Sequence, residues 1–213
     1  MEDYIAGATS GVFQTLIGHP FDTYKVLIQN KKPISKINPM FGVTFPMMSG
    51  IISNSIVFGS NETLQKYNIP SLISGSISGI LVSPVVYYFD ILKLNRQVYQ
   101  DKTNWKLLLN TKYGKTTTFF REFFAFGIYF QTFEIMKNNN YHTLIAGGMA
   151  GLTNWTFTYP LDVIRNREIA LNINFNTAYN MGHFFKGYGV CACRAILVNS
   201  AGFYVFENTK KIL

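Results

Sequence analysis

The sequence predicts an all-α membrane protein: six transmembrane helices in three pseudo-threefold-related helix pairs around a central cavity. Three observations predict it. First, a cassette recurs: Gly7 and Gly11 precede Asp22 and Lys25, Gly75 and Gly79 precede Asp90 and Lys93, and Gly147 and Gly151 precede Asp162 and Arg165. The second glycine always stands 11 residues before the acid, and the acid 3 before the base. The acids are 68 and 72 residues apart, too long a period for a small solenoid repeat and long enough for two membrane-crossing helices. Second, another series runs in phase with this one, at Glu62, Glu134 and Glu207, spaced by 72 and 73 residues. A lone acid three residues before a base is an ordinary surface pair of ~0.2–0.5 kcal/mol; two phased series in three repeats are not that. Third, the chain is 48% apolar and 16% aromatic but only 14% charged, against about 25% charged in an average soluble protein.

The elements follow in order. Helix 1, about 4–29, contains the run Tyr4 to Phe21, whose one titratable interruption is His19. Helix 2, about 41–66, and helix 3, about 70–98, contain Gly42 to Asn61 and Tyr67 to Phe89, which hold no Asp, Glu, Lys or Arg. Each reaches the roughly 20 residues that cross hydrocarbon. Helix 4, about 113–137, is more polar, with Lys115, Arg121, Glu122 and Glu134. Helix 5, about 141–169, starts in a run broken only by His142, and helix 6, about 186–211, carries Arg194 in an otherwise uncharged run to Phe206. The repeats are then about 1–68, 69–140 and 141–213, all within one domain. Six such segments leave too little polar surface for a soluble core. The mean hydropathy of +0.11 fits helices with one polar, cavity-lining face.

The longer loops hold Lys31, Lys32, Lys36, Lys102, Lys106 and Lys112 and face one compartment, with both termini in the other. The net charge of +8 suits an anionic membrane surface and anionic solutes; no basic run interleaved with aromatics points to nucleic acid. The acidic start Met1-Glu2-Asp3 fits neither a signal peptide nor a transit peptide. Cys191 and Cys193 fall in helix 6 as packing residues, and His19, His142 and His183 lack ligand spacing, so no metal site is expected. No nucleophile–base set or phosphate-cradling loop appears, so neither an enzyme nor a cofactor is expected.

The repeated charges have a physical reading of their own. Pro20 and Pro160 each remove a backbone hydrogen bond and bend their helix, so the odd helices can converge. Asp22, Lys25, Asp90, Lys93, Asp162 and Arg165, just beyond the bends, would meet as a ring of alternating charge. Ions inside a membrane are costly unless paired, and mark a transport path. Glu62, Glu134, Lys137, Glu207 and Lys210 would form a second ring at the opposite mouth, so that one ring closes while the other opens. The Gly-x-x-x-Gly pairs permit close helix approach.

Pro20-Phe21-Asp22-Thr23-Tyr24-Lys25 and Pro160-Leu161-Asp162-Val163-Ile164-Arg165 resemble the PxDxxK signature of the mitochondrial carrier family, over essentially the whole chain. The second copy, Tyr88-Phe89-Asp90-Ile91-Leu92-Lys93, has Tyr88 where the family has proline, and Gln65 replaces the base of the first even-helix motif. Gln29 and Gln97, four residues beyond the bases, match the family's glutamine brace. Phe185-Lys186-Gly187 resembles the step that opens an even helix, with Tyr113-Gly114-Lys115 a scrambled version, while Asn30 to Met40 is too short for the usual surface helix. The resemblance implies a monomeric, multi-pass exchanger of the mitochondrial inner membrane, with cardiolipin near Lys186 and Gly187.

The family reads its solute on even helices near mid-membrane, which picks out Arg121, Glu122, Arg194 and Ser53. Two arginines against one glutamate favour phosphate or carboxylate, which arginine grips with two parallel hydrogen bonds; Glu122 can also pair with Arg121. Tyr87, Trp155 and Tyr159 either stack a base or pack against lipid. Lysine outnumbers arginine 14 to 5, as in an AT-rich genome, such as that of a parasite or large virus supplying nucleotides within host mitochondria. The expected solute is therefore a small anion, a nucleotide or deoxynucleotide such as dATP, dTTP or ADP. The alternative is carnitine or an ornithine-like amino acid, and last comes a carrier-like protein that transports nothing.

Overall fold

A computed structural model describes residues 2–29, 40, 43–99, 111–195, 197–198, 205 and 212. Five long helices dominate: α1 (Glu2–Gln29), α2 (Thr44–Gln65), α3 (Ser71–Tyr99), α4 (Lys115–Asn138) and α5 (Thr143–Leu171). A short α6 (Phe175–Asn180) follows, then a helical stretch at 188–195. No strand occurs among the described residues. The expected bounds of the first five helices lie within three residues of those observed; most of expected helix 6 lies outside the described residues.

Asparagine ends three helices. Asn68, Asn140 and Asn172 adopt φ of 57°, 60° and 51° just past α2, α4 and α5, the left-handed conformation that asparagine tolerates better than most residues. The links at 66–70 and 139–142 are therefore tight and leave consecutive helices side by side. Prolines fall inside all three odd helices: Pro20 in α1, Pro84 in α3 and Pro160 in α5. A search at the motif position passes over Pro84, which lies one turn before Tyr88, so α3 has its own missing backbone hydrogen bond.

The α3–α4 seam shows why glycine recurs. A Cβ on Gly79 would collide with the Glu122 carbonyl oxygen, and one on Gly75 with that of Phe126. Gly127 returns the contact from α4, where a Cβ would strike the Ser76 hydroxyl. At Gly147, by contrast, no atom lies within 4 Å of the same position. The side-chain surroundings of Gly7 and Gly11 lie outside the described residues.

The odd helices converge at one end, where Val26 of α1, Tyr87, Ile91 and Leu94 of α3, and Ile169 and Ala170 of α5 form one apolar cluster. A second cluster joins Val57 of α2, Val82 of α3 and Phe130 of α4. Charge is distributed inside out. Lys25, Asp90, Glu122, Asp162, Arg165, Arg167 and Glu168 are buried, whereas Leu81, Phe120, Phe124, Ile145, Met149 and Phe157 are exposed. In water this would waste apolar area at ~25 cal/mol per Å²; in lipid the exposed face costs nothing. Among the described residues, one helix segment, Ser71–Leu94, has the length and composition to cross a membrane on hydropathy alone. The other long helices carry more polar and charged residues, such as Arg121 and Glu122 in α4 and Asp162 and Arg165 in α5.

Candidate functional site

The spacing of three residues turns each acid and base about 300° around the helix, so they point towards different neighbours. Lys25 Nζ of α1 lies 2.6 Å from Asp162 Oδ2 of α5. Arg165 Nη2 of α5 lies 3.1 Å from Asp90 Oδ2 of α3. Lys93 Nζ of α3 lies 3.4 Å from Asp22 Oδ2 of α1. The cycle closes: each odd helix gives its base to one neighbour and its acid to the other. All six expected ring residues are thus together.

The ring is tied to groups beyond it. Arg165 Nη1 donates to Glu122 Oε1 of α4 at 3.2 Å, and Nη2 to its own helix's Asp162 at 3.2 Å. Asn166 Nδ2 donates to Asp162 Oδ2 at 3.1 Å. Glu122 also takes Arg121 Nη1 at 2.5 Å, and Arg194 Nε meets Asp22 Oδ1 at 2.7 Å. Desolvated ions at this depth persist only if every carboxylate has a partner, because an abandoned one costs several kcal/mol.

Arg121, Glu122, Arg194 and Ser53, the residues that the resemblance picks out, line one cavity of about 290 Å³. Its charge does not match the expectation. Asp22, Asp90 and Glu122 face it alongside Lys93, Arg121 and Arg194, three carboxylates against three cations. The positive surplus came from counting even-helix residues alone; the ring acids border the same space.

The aromatic expectation also changes. Tyr87 and Tyr159 are buried, and their hydroxyls donate to the carbonyls of Tyr113 at 3.1 Å and Lys186 at 3.0 Å. They therefore clip the entrances to the following even helices and are too buried to face lipid. At those entrances Gly114 and Gly187 take φ of 92° and 84°, and a Cβ on them would meet Ile169 and Tyr159 respectively. Tyr113-Gly114-Lys115 and Phe185-Lys186-Gly187 thus make the same bend despite their different order. Trp155 faces cations, with Lys25 Nζ 4.1 Å and Arg121 Cζ 5.0 Å from its ring centroid.

At the opposite mouth Glu134 and Lys137 of α4 are exposed and line a cavity of about 620 Å³ with Asn61, Gln65 and Ser71. Gln65 Nε2 donates to Ser71 Oγ at 3.1 Å. The side chains of Gln29, Glu62 and Gln97, and all of Glu207 and Lys210, lie outside the described residues. Sequence reasoning missed a polar ladder between α2 and α3: Ser74 Oγ donates to Asn61 Oδ1 at 2.8 Å, and Ser60 Oγ to Ser78 Oγ at 2.8 Å. The four-residue serine spacing at 74 and 78 was the available signal. It also missed Arg167, fully buried, whose Nη1 donates to the carbonyls of Ala178 at 3.1 Å and Gly182 at 2.8 Å, holding α6 against α5.

Comparison with known proteins agrees with this geometry. The family described as Mitochondrial carrier protein matches residues 1–42 and 137–180, stretches that carry the Asp22 and Asp162 copies of the signature. The mitochondrial basic amino acids transporter of Rattus norvegicus is 25% identical over 97% of this chain and 80% of its own length. Mitochondrial ornithine transporter 1 of Saccharomyces cerevisiae is 26% identical over 97% of this chain and 94% of its own. Solute carrier family 25 member 45 of Homo sapiens is 25% identical over 97% of both. The signature, the largely helical fold and relatives along nearly its whole length make the chain similar to mitochondrial carriers.

Proposed function

We propose that the chain exchanges a small dipolar amino acid of the ornithine or arginine kind by alternating access. The observation that carries this reading is the charge balance of the central cavity. Three carboxylates and three cations line it, and both arginines are already partnered, Arg121 by Glu122 and Arg194 by Asp22. A polyphosphate entering there would meet three carboxylates and find no surplus cation. An α-amino acid brings an ammonium and a carboxylate, so it can replace an internal ion pair group for group. At about 290 Å³ the cavity is at the small end of the roughly 300–1,000 Å³ usual for ligand sites. Relatives named for basic amino acids and for ornithine support the same choice over a nucleotide.

In this reading the three repeats form three helix pairs about a pseudo-threefold axis. The Asp22, Lys25, Asp90, Lys93, Asp162 and Arg165 ring is one gate, and the Glu62, Glu134, Lys137, Glu207 and Lys210 set is the other. Arg121, Glu122, Arg194 and Ser53 hold the solute between them. The solute carboxylate takes Arg194 from Asp22, and its ammonium takes Glu122 from Arg165, which loosens the ring from inside. Solute can tip such an equilibrium only through its different affinity for the two closed states.

The test is a counter-exchange panel in proteoliposomes. Vesicles loaded with ornithine should take up labelled ornithine or arginine and ignore ADP and dATP. Exchange of nucleotides alone would overturn the reading and reinstate the anionic solute.

A further inference from the structure

Lys25 sits in a more elaborate place than an ion pair requires. Its Nζ lies 2.6 Å from Asp162 Oδ2, 4.1 Å from the Trp155 ring centroid and 5.1 Å from that of Tyr159. All three hosts belong to α5, at positions 155, 159 and 162, a spacing that puts them on one helix face. The guest alone comes from α1. Two aromatic rings and a carboxylate around one ammonium form a cation cage, a recognised way to bind such groups. The cage has its own supports. Tyr159 is clipped to the Lys186 carbonyl at 3.0 Å, Asn166 holds Asp162 at 3.1 Å, and the Arg121 guanidinium is 5.0 Å from the Trp155 centroid.

We propose that Trp155, Tyr159 and Asp162 form a binding site for the side-chain ammonium or guanidinium of the transported solute, occupied by Lys25 while the ring is closed. This rests on the amino-acid reading above and adds where the cationic side chain is held. When α1 parts from α5, Lys25 leaves all three hosts together, because they travel on one helix. Asp162 then keeps Arg165 and Asn166 of its own helix, but the place between its carboxylate and the two rings has lost its ammonium. A cationic side chain fills the vacancy and a neutral one cannot, so cationic solutes stabilise the open ring selectively. The site is within reach. Trp155 and Asp162 line a volume of about 180 Å³ with Asp22, Asp90, Lys93 and Arg121, and the last four also border the central cavity. A solute held there by its α-groups can extend its side chain into the cage.

The test compares arginine with citrulline, its neutral near-isostere, as inhibitors of labelled ornithine exchange by the whole carrier in proteoliposomes. The wild type should prefer arginine by at least about tenfold. Trp155→Leu should reduce that preference by about tenfold, the effect of one desolvated cation–π contact, and Trp155→Phe should retain most of it. Because each preference is a ratio within one preparation, loss of folded protein cancels. A second measurement empties the cage from the other side: Lys25→Ala should regain exchange when ethylammonium, but not ethylurea, is added. An arginine preference unchanged in Trp155→Leu, or a loss equal for both inhibitors, overturns the cage and leaves amino-acid exchange standing. A wild type that exchanges nucleotides but no amino acid overturns both.

Discussion

The two ends of the helix bundle hold their charged residues in different surroundings. At the ring, six ionic side chains from three helices pair in a closed cycle, four of them buried, above an apolar cluster of α1, α3 and α5. At the far mouth Glu134 and Lys137 are exposed beside a cavity of about 620 Å³, and Gln65 stands where the motif calls for a base. The same kind of acid–base spacing thus lies among buried groups at one end and at an exposed surface at the other. A charge pair is worth more where water is excluded and little where it is not, so the ring end dominates this conformer.

The strongest way to break the ring is through Arg165. Among the described residues it alone reaches three carboxylates, at Asp90, Asp162 and Glu122. Arg165→Ala should abolish exchange and lower thermal stability in detergent, since loss of one partner from a buried pair costs about 3–5 kcal/mol. Lys93→Ala should do less. Its 3.4 Å contact is the longest of the three, and Asp22 keeps Arg194 at 2.7 Å. Exchange should fall while insertion survives; equal damage from the two substitutions would refute this ranking. The double change Asp22→Lys with Lys93→Asp, which looks like a harmless sign swap in a three-pair ring, should instead fail because it sets an amine against Arg194.

A comparison of α3 with α5 gives a smaller effect. Gly79→Ala would press a methyl into the backbone of Glu122 and separate α3 from α4. Overpacking of this kind costs about 1–3 kcal/mol, and here it also displaces the carboxylate that links Arg121 to Arg165. Gly147→Ala, at an open position, should stay within about 0.5 kcal/mol of wild type. Thermal unfolding of both variants in one detergent decides it, and equal shifts would mean that the α3–α4 seam yields easily.

The sequence made the helices and the ring legible for a simple reason: hydrocarbon imposes a length and the repeat imposes a phase. Uncharged runs put helices 1, 2, 3 and 5 within three residues, and phase alone assembled Asp22, Lys25, Asp90, Lys93, Asp162 and Arg165. What stayed hidden depends on which helix faces which. Asp22 and Asp90 were assigned to a gate and left out of the cavity's charge, although one carboxylate can border both. Tyr87, Trp155 and Tyr159 are uninformative singly; their hydroxyl and cation partners lie many residues away. Pro84 escaped because the second signature has Tyr88 in its place, and one proline a turn earlier serves the same helix.

The far mouth offers the smallest and most specific change. Gln65 borders the same cavity as Glu134 and Lys137, but as an amide it can only hydrogen-bond, and here it donates to Ser71. Gln65→Lys gives that end a second described base within the space that Glu134 faces. If the mouth closes through ion pairs, the new amine should stabilise its closed form and slow exchange at saturating solute. The site is exposed in this conformer, so the gain is of the order of 0.2–1 kcal/mol, or about 1.4- to fivefold in rate. Glu134→Gln in the Gln65→Lys background should return the rate to that of Glu134→Gln alone, because the added amine has lost its carboxylate. Additive effects in this double-mutant cycle would mean that position 65 and Glu134 do not meet when the mouth closes. The contrast between the two ends would then lie in helix packing and not in the missing base.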